Sequence, residues 1–269
     1  MKAGRKARTA ASRAGNSNTL AMIARIGFAA NGLTHVLIGY LAIRVALHQG
    51  GESDQSGAFA QLLKLPGGMI VLWIIVAGLA ALSLWLLLQA ALGLGSSSKK
   101  RWVRSLGSLG SAVAYIAVAS TALSFALRRP SDSSSSSTEA SGTILSLPGG
   151  QALLIAVGLV TVGIGGYFIY KGARQKFRKD ITVPSGRSER PVVVLAMTGF
   201  IAKGIAILTL GILFIVAAVQ VDPKEASGLD GALKALTELP FGEAILVGVG
   251  VGLIAYGLYC FALVRLARL

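Results

Sequence analysis

Six stretches of the chain stay predominantly apolar for ~20 residues or more, the length an α-helix needs to cross a bilayer. They run from Leu20 to Leu47, Gly68 to Leu94, Ser105 to Leu127, Ala152 to Tyr170, Val192 to Val219 and Ala244 to Val264. None shows the alternating polarity, in segments of ~10 residues, that marks a membrane barrel strand. Lipid offers no partner to backbone amides, so each stretch is predicted to be a helix that closes its own hydrogen bonds. The pattern predicts an all-α polytopic membrane protein with six transmembrane helices.

The six spans read as one two-helix unit used three times. Leu65-Pro66-Gly67-Gly68, Leu147-Pro148-Gly149-Gly150 and Leu239-Pro240-Phe241-Gly242 each open the second helix of a pair. Proline suits a helix start because its missing N–H is unpaired there anyway. Nineteen residues after each proline stands an aromatic: Trp85, Tyr167 and Tyr259. These rings are expected at the membrane interface, where amphipathic aromatics concentrate. In the first helices Gly27, Gly32 and Gly39 align with Gly107, Ala112 and Ala119, and with Gly199, Gly204 and Gly211. We read these small residues as one side of each helix, through which backbones approach closely. The repeats are bounded at 20–95, 102–177 and 191–266, after a basic tail at 1–19 expected to be disordered. Units of two spans share one orientation, so their pseudo-threefold axis runs along the membrane normal.

Arg25-Ile26-Gly27-Phe28-Ala29-Ala30-Asn31-Gly32, the Leu-Pro-Gly-Gly turns and the three tandem hairpins resemble a bacterial integral membrane family. That family has a threefold repeated two-helix domain of unknown function. The resemblance covers residues 20 to about 266. Its motifs are packing motifs, so it implies the fold and no reaction, ligand or catalytic residue. The middle repeat departs furthest, with Ser111-Ala112 where the first has Asn31-Gly32.

Charge turns the pattern into a topology. The net charge is +15, from 26 Lys+Arg and 11 Asp+Glu, although only 14% of residues are charged. Nineteen of the basic residues fall in the N-terminal segment, the connections after the second and fourth spans, and the C-terminus. Only Asp180 and Glu189 accompany them. Positive loops mark the cytoplasmic side, so both termini are expected there, in a bacterial inner membrane. The basic loops are then expected to meet anionic headgroups. A nucleic-acid partner is not needed to explain the charge. Between the paired spans, 58–64 and 231–236 read as short amphipathic pieces at the outer surface. Asp132 to Ser141, rich in serine, is expected to be disordered.

Candidate chemistry is sparse. Asn31, Ser111 and Lys203 occupy one position of the repeat and are read as a polar ring about the axis, in a pore or binding cavity. The alternative is that Asn31 and Ser111 make interhelical hydrogen bonds while Lys203 snorkels. His35 shares a helical face with Gly32 and Gly39, so it points at a neighbouring helix. It serves as a packed histidine or as a polar contact within the membrane. Cys260 reads as a small buried hydrophobe. One cysteine and two histidines offer no metal centre, and no cofactor motif occurs. No carboxylate lies at the centre of a span, where coupled carriers place them. The expected function is a non-enzymatic structural or partner-binding bundle. The alternatives are a small channel or uncoupled transporter along the axis and, behind both, a lipid-modifying enzyme.

Overall fold

The computed structural model describes residues 18–92, 101–129, 132–179, 181 and 189–266. Nine α-helices lie among the described residues: α1 (Asn18–Ala46), α2 (Gln55–Leu63), α3 (Gly68–Leu92), α4 (Arg101–Ala126), α5 (Ser133–Leu145), α6 (Gly150–Ala173), α7 (Glu189–Gln220), α8 (Gly228–Ala235) and α9 (Gly242–Leu266). The long helices α1, α3, α4, α6, α7 and α9 are the six spans. They form three hairpins, each with a short helix in its connection: α2, α5 or α8. Of the basic tail placed at 1–19, residues 1–17 lie outside the described residues, and Asn18 and Thr19 already belong to α1.

The repeated turns have a common geometry. The amide of the residue opening α3, α6 or α9 donates to the carbonyl three residues back, at 3.0, 2.8 and 2.8 Å for Gly68, Gly150 and Gly242. Proline therefore stands at the second position of a four-residue turn, just ahead of the helix. The third position has φ of +79° at Gly67, +76° at Gly149 and +59° at Phe241. A type II turn requires that left-handed backbone, which glycine adopts without cost and phenylalanine does not.

The tightest helix pairs join neighbouring repeats. α3 packs on α4, α6 on α7, and α9 returns to α1. At α9–α1 a Cβ added to Gly39 would lie 2.5 Å from the Gly250 carbonyl oxygen, and one on Gly32 would lie 2.8 Å from that of Gly257. At α6–α7 the same test puts Gly211 at 2.9 Å from the Gly158 oxygen and Gly204 at 2.7 Å from the Gly165 oxygen. Backbones touch at both junctions, so any side chain there forces the helices apart. Ala112 and Ala119 are the buried small residues of α4 where it meets α3.

Gly27 and Gly199 do not share that side, which corrects the expected single stripe. Seven residues nearly complete two turns, whereas five carry the chain roughly 140° round the helix. Gly27 accordingly faces Leu82 and Gly78 of its own hairpin, and Gly199 faces Tyr256 of its own. The middle hairpin lacks this contact. A Cβ on Gly107 would meet nothing within 4 Å, and α4 and α6 do not pack along their length. In the repeat register Val160 stands where Gly78 and Gly252 admit the partner helix, and 62% of its surface is exposed.

The serine-rich segment expected to be disordered is helix α5. Asp132 caps it, accepting from the Ser134 amide at 2.8 Å and the Ser135 hydroxyl at 2.5 Å. Serine and aspartate favour helix N-termini, and packing against α8 supports the rest. The three short helices cover one end of the bundle and are tied together there. The Ser53 amide donates to Asp230 Oδ1 at 2.6 Å, Lys234 pairs with Asp230 Oδ2 at 2.6 Å, and the Ser133 amide donates to Ser56 Oγ at 2.7 Å. Asp54 caps α2 through the Gly57 amide at 3.0 Å and is fully buried. Burial, with the carboxylates of Asp230, Glu52 and Asp132 nearby, pushes its carboxyl up to about 6.

Candidate functional site: a polar cluster between α1, α7 and α9

Two pairs of polar side chains, each one helical turn apart, face each other across the α9–α1 junction. On α1, His35 Nδ1 lies 2.8 Å from the Asn31 carbonyl oxygen, so one turn of helix orients the imidazole. Asn31 Nδ2 donates to the Cys260 thiol of α9 at 3.3 Å. Cys260 and Tyr256 stand four residues, about one turn, apart on α9. The His35 and Tyr256 rings meet with centroids 4.8 Å apart. The glycine contacts Gly32–Gly257, between these two meetings, and Gly39–Gly250, further along, bring the two helices close enough for the side chains to meet.

Lys203 reaches the same tyrosine from α7. Its ammonium donates to Tyr256 Oη at 3.3 Å and lies 4.3 Å from the centre of that ring. It also lies 5.5 Å from the Phe168 ring of α6. Gly199, one turn before Lys203, lets α7 settle against the Tyr256 backbone. Among the described residues no carboxylate pairs with Lys203. An unpaired lysine within a span costs ~2.5–3.5 kcal/mol on insertion scales. Two aromatic faces, at about 0.5–2 kcal/mol each, offset an amount of the same order. His35 and Lys203 each keep some accessible surface, whereas Asn31 and Cys260 are enclosed.

An aromatic wall continues the cluster toward the basic end of the bundle. Phe200 stacks on Phe168 at 5.9 Å and on Phe177 at 5.7 Å, and meets Tyr256 and Tyr259 edge-on at 5.4 and 5.6 Å. The Lys171 ammonium lies 4.9 Å over Phe200.

The described contacts do not join Asn31, Ser111 and Lys203 to one another. Ser111 is exposed on α4, Asn31 is turned to Cys260, and Lys203 to Tyr256 and Phe168. Cys260 and Phe168 are equivalent in the repeat register, so Asn31 and Lys203 each also face the preceding helix across a junction between repeats. Two of the three nevertheless converge on α9, together with His35. The aromatics placed at the interface also divide. Tyr167 is 55% exposed and Trp85 half-buried, but Tyr259 is 2% exposed and lies in the core beside Phe177. Pro66, Pro148 and Pro240 stand in the turns described above. Sequence reasoning missed Tyr256, Phe168 and Phe200. A usable signal existed: Asn31/His35 and Tyr256/Cys260 are both polar pairs four residues apart in apolar helices.

Other groups lie apart from the cluster. His48 Nε2 is 3.7 Å from Glu243 at the capped end, both exposed. An open depression of about 560 Å³ there is lined by Arg44, Glu52, Gln61 and Lys64 among others.

The sequence comparisons agree with this architecture. The family model described as Domain of Unknown Function (DUF1206) matches three times, at residues 26–93, 106–175 and 198–267. A protein of Bacillus subtilis (strain 168) named "Uncharacterized protein YxxB" is 32% identical over 242 residues, covering 87% of this chain and 86% of that relative. No solved structure matches.

Proposed function

The chain belongs to this family of unknown function, as a multi-pass bacterial membrane protein with a threefold-repeated unit, and we propose that it is a non-enzymatic bundle that binds a partner within the membrane and conducts no solute. The observation that carries the reading is the pair of glycine junctions, where backbones touch and leave no water-filled path between those helices. The polar residues that would line such a path are dispersed instead, with Ser111 at the surface and Asn31 enclosed. The enclosure of the Cys260 thiol behind Asn31 and Tyr256 weighs against a covalent enzyme, since substrate cannot reach it. What remains reachable in the cluster is a cation and an imidazole beside aromatic faces, a set suited to recognition.

We place both termini in the cytoplasm, because 19 of 26 basic residues lie on that side of the spans. Contact with anionic headgroups adds roughly 1 kcal/mol per basic residue near the surface. The test of the main reading is flux from proteoliposomes loaded with K+, glycerol or an amino acid. Release at the rate of protein-free vesicles is expected. Release that depends on the protein and disappears in Lys203→Met would establish a channel instead.

A further inference from the structure

The middle hairpin is open where the other two are closed, and the opening lies beside the cation of the polar cluster. In the repeat register Ser111 and Ile164 correspond to Lys203 and Tyr256, the pair that bridges α7 and α9 by a hydrogen bond. In the middle hairpin both Ser111 and Ile164 are exposed. Gly107 and Gly110 of α4 have nothing within 4 Å of a would-be Cβ, although their equivalents Gly199 and Ala202 are packed against α9. On the facing helix Val160 and Ile164 are exposed in the same way. One turn on from Ile164, Phe168 lies beneath the Lys203 ammonium. On the other wall Tyr115, the equivalent of His35, is half-buried against the core that α4 shares with α1 and α3. The α6 wall of the opening therefore ends at the cluster.

The chemistry at the two ends of this opening differs. Its walls are apolar and small, which suits an acyl chain. Its inner end holds the Lys203 cation without a carboxylate, and the Lys171 ammonium sits on the same Phe168–Phe200 stack. Lys171 stands in the last turn of α6, and the Lys203 ammonium lies beside Phe168, about a turn and a half from that basic end and on its side of the span's middle. A chain with an anionic head placed at that level is an anionic phospholipid. We propose that the opening between α4 and α6 holds one acyl chain of an anionic phospholipid whose phosphate pairs with Lys203. This rests on the reading of the bundle as a binding protein and adds the class of ligand.

The test is native mass spectrometry of the full chain in detergent, titrated separately with phosphatidylglycerol, phosphatidylcholine and oleate. One tightly held phosphatidylglycerol is expected, at least about tenfold preferred over phosphatidylcholine of the same chains. Lys203→Met should abolish the preference and Lys203→Arg should keep it. Ser111→Trp, at an exposed position, should lower occupancy by filling the opening. Each variant is melted in the same detergent. If Lys203→Met fails to fold, the wild-type preference and Ser111→Trp decide. Equal binding of the two phospholipids, a preference unchanged in Lys203→Met, occupancy unchanged in Ser111→Trp, or displacement by equimolar oleate would overturn the proposal. Protein-dependent flux from the proteoliposomes would defeat the binding reading separately, whatever the lipid preference.

Discussion

The third and second hairpins are built on one plan and packed differently. In the third, Gly199 meets the Tyr256 backbone, Gly252 meets Ala202, and Lys203 bonds Tyr256. In the second, Gly107 faces open space, Val160 replaces the glycine, and Ser111 and Ile164 are exposed. The difference teaches that the middle copy of this repeat keeps its place without close contact between its own two helices. Junctions between repeats are close in all three places, and contact within a hairpin is optional. In lipid, helix association rests on packing and not on a hydrophobic drive, and the middle hairpin has Val160 where the others offer a glycine.

The largest effect should come from substituting glycines in the two kinds of place, a junction between repeats and the open middle hairpin. Gly39→Leu drives a side chain into the Gly250 carbonyl, and should cost about 3 kcal/mol or more or abolish folding. Gly107→Leu enters open space and should leave stability within about 0.5 kcal/mol of wild type. Thermal melts in detergent with size-exclusion profiles measure both, and equal sensitivity would erase the distinction.

The caps of the short helices sharpen it. Asp54 and Asp132 both cap, for α2 and α5, but burial raises the first while hydrogen bonds from Ser135 and the Ser134 amide lower the second. A carboxyl raised in the folded state binds its proton more tightly there than when unfolded. Its penalty is therefore absent below the ordinary carboxylate range and grows as pH rises from about 4 to about 6. Asp54→Asn keeps an acceptor for the Gly57 amide, removes that penalty, and should stabilise by about 1–3 kcal/mol at pH 7 and little at pH 4. Asp132→Asn should show the opposite sign, smaller because the cap is exposed. Stability measured across pH 4–8 for both variants separates them.

The smallest effect concerns the turns. Phe241 holds the left-handed position that Gly67 and Gly149 fill in the other repeats, and 87% of it is exposed. Phe241→Gly relieves backbone strain with little packing lost, and should stabilise by about 1 kcal/mol. A lower melting temperature would mean that this ring has work to do at the membrane surface.

Much of this architecture is readable along the chain. The spans and repeats are visible because lipid demands long apolar runs and because proline and glycine mark each turn. Partner choice is less visible, since adjacent helices suggest themselves as the tight pair. Yet the glycines carry the answer: Gly32/Gly39 and Gly250/Gly257 are both seven apart, as are Gly204/Gly211 and Gly158/Gly165. Matched spacing on helices that belong to different repeats identifies the junctions, including the closure of α9 onto α1. The polar cluster was half legible. Asn31, His35 and Lys203 stand out in apolar helices, whereas Tyr256 and the phenylalanines read as ordinary core until the fold places them around one ammonium. Helix α5 was hidden by its serine content, because composition does not register the cap and the neighbour that order it.

Disulfide trapping in native membranes tests the central contrast most directly, using the same two repeat positions in different hairpins and a background lacking Cys260. In the first hairpin a Cβ on Gly27 would lie 2.9 Å from the Leu82 Cβ. The pair Gly27→Cys/Leu82→Cys should therefore cross-link rapidly under mild oxidant. The equivalent pair Gly107→Cys/Ile164→Cys should stay reduced over the same time. Cross-linking of the second pair as fast as the first would contradict the account, because α4 and α6 would then be closed.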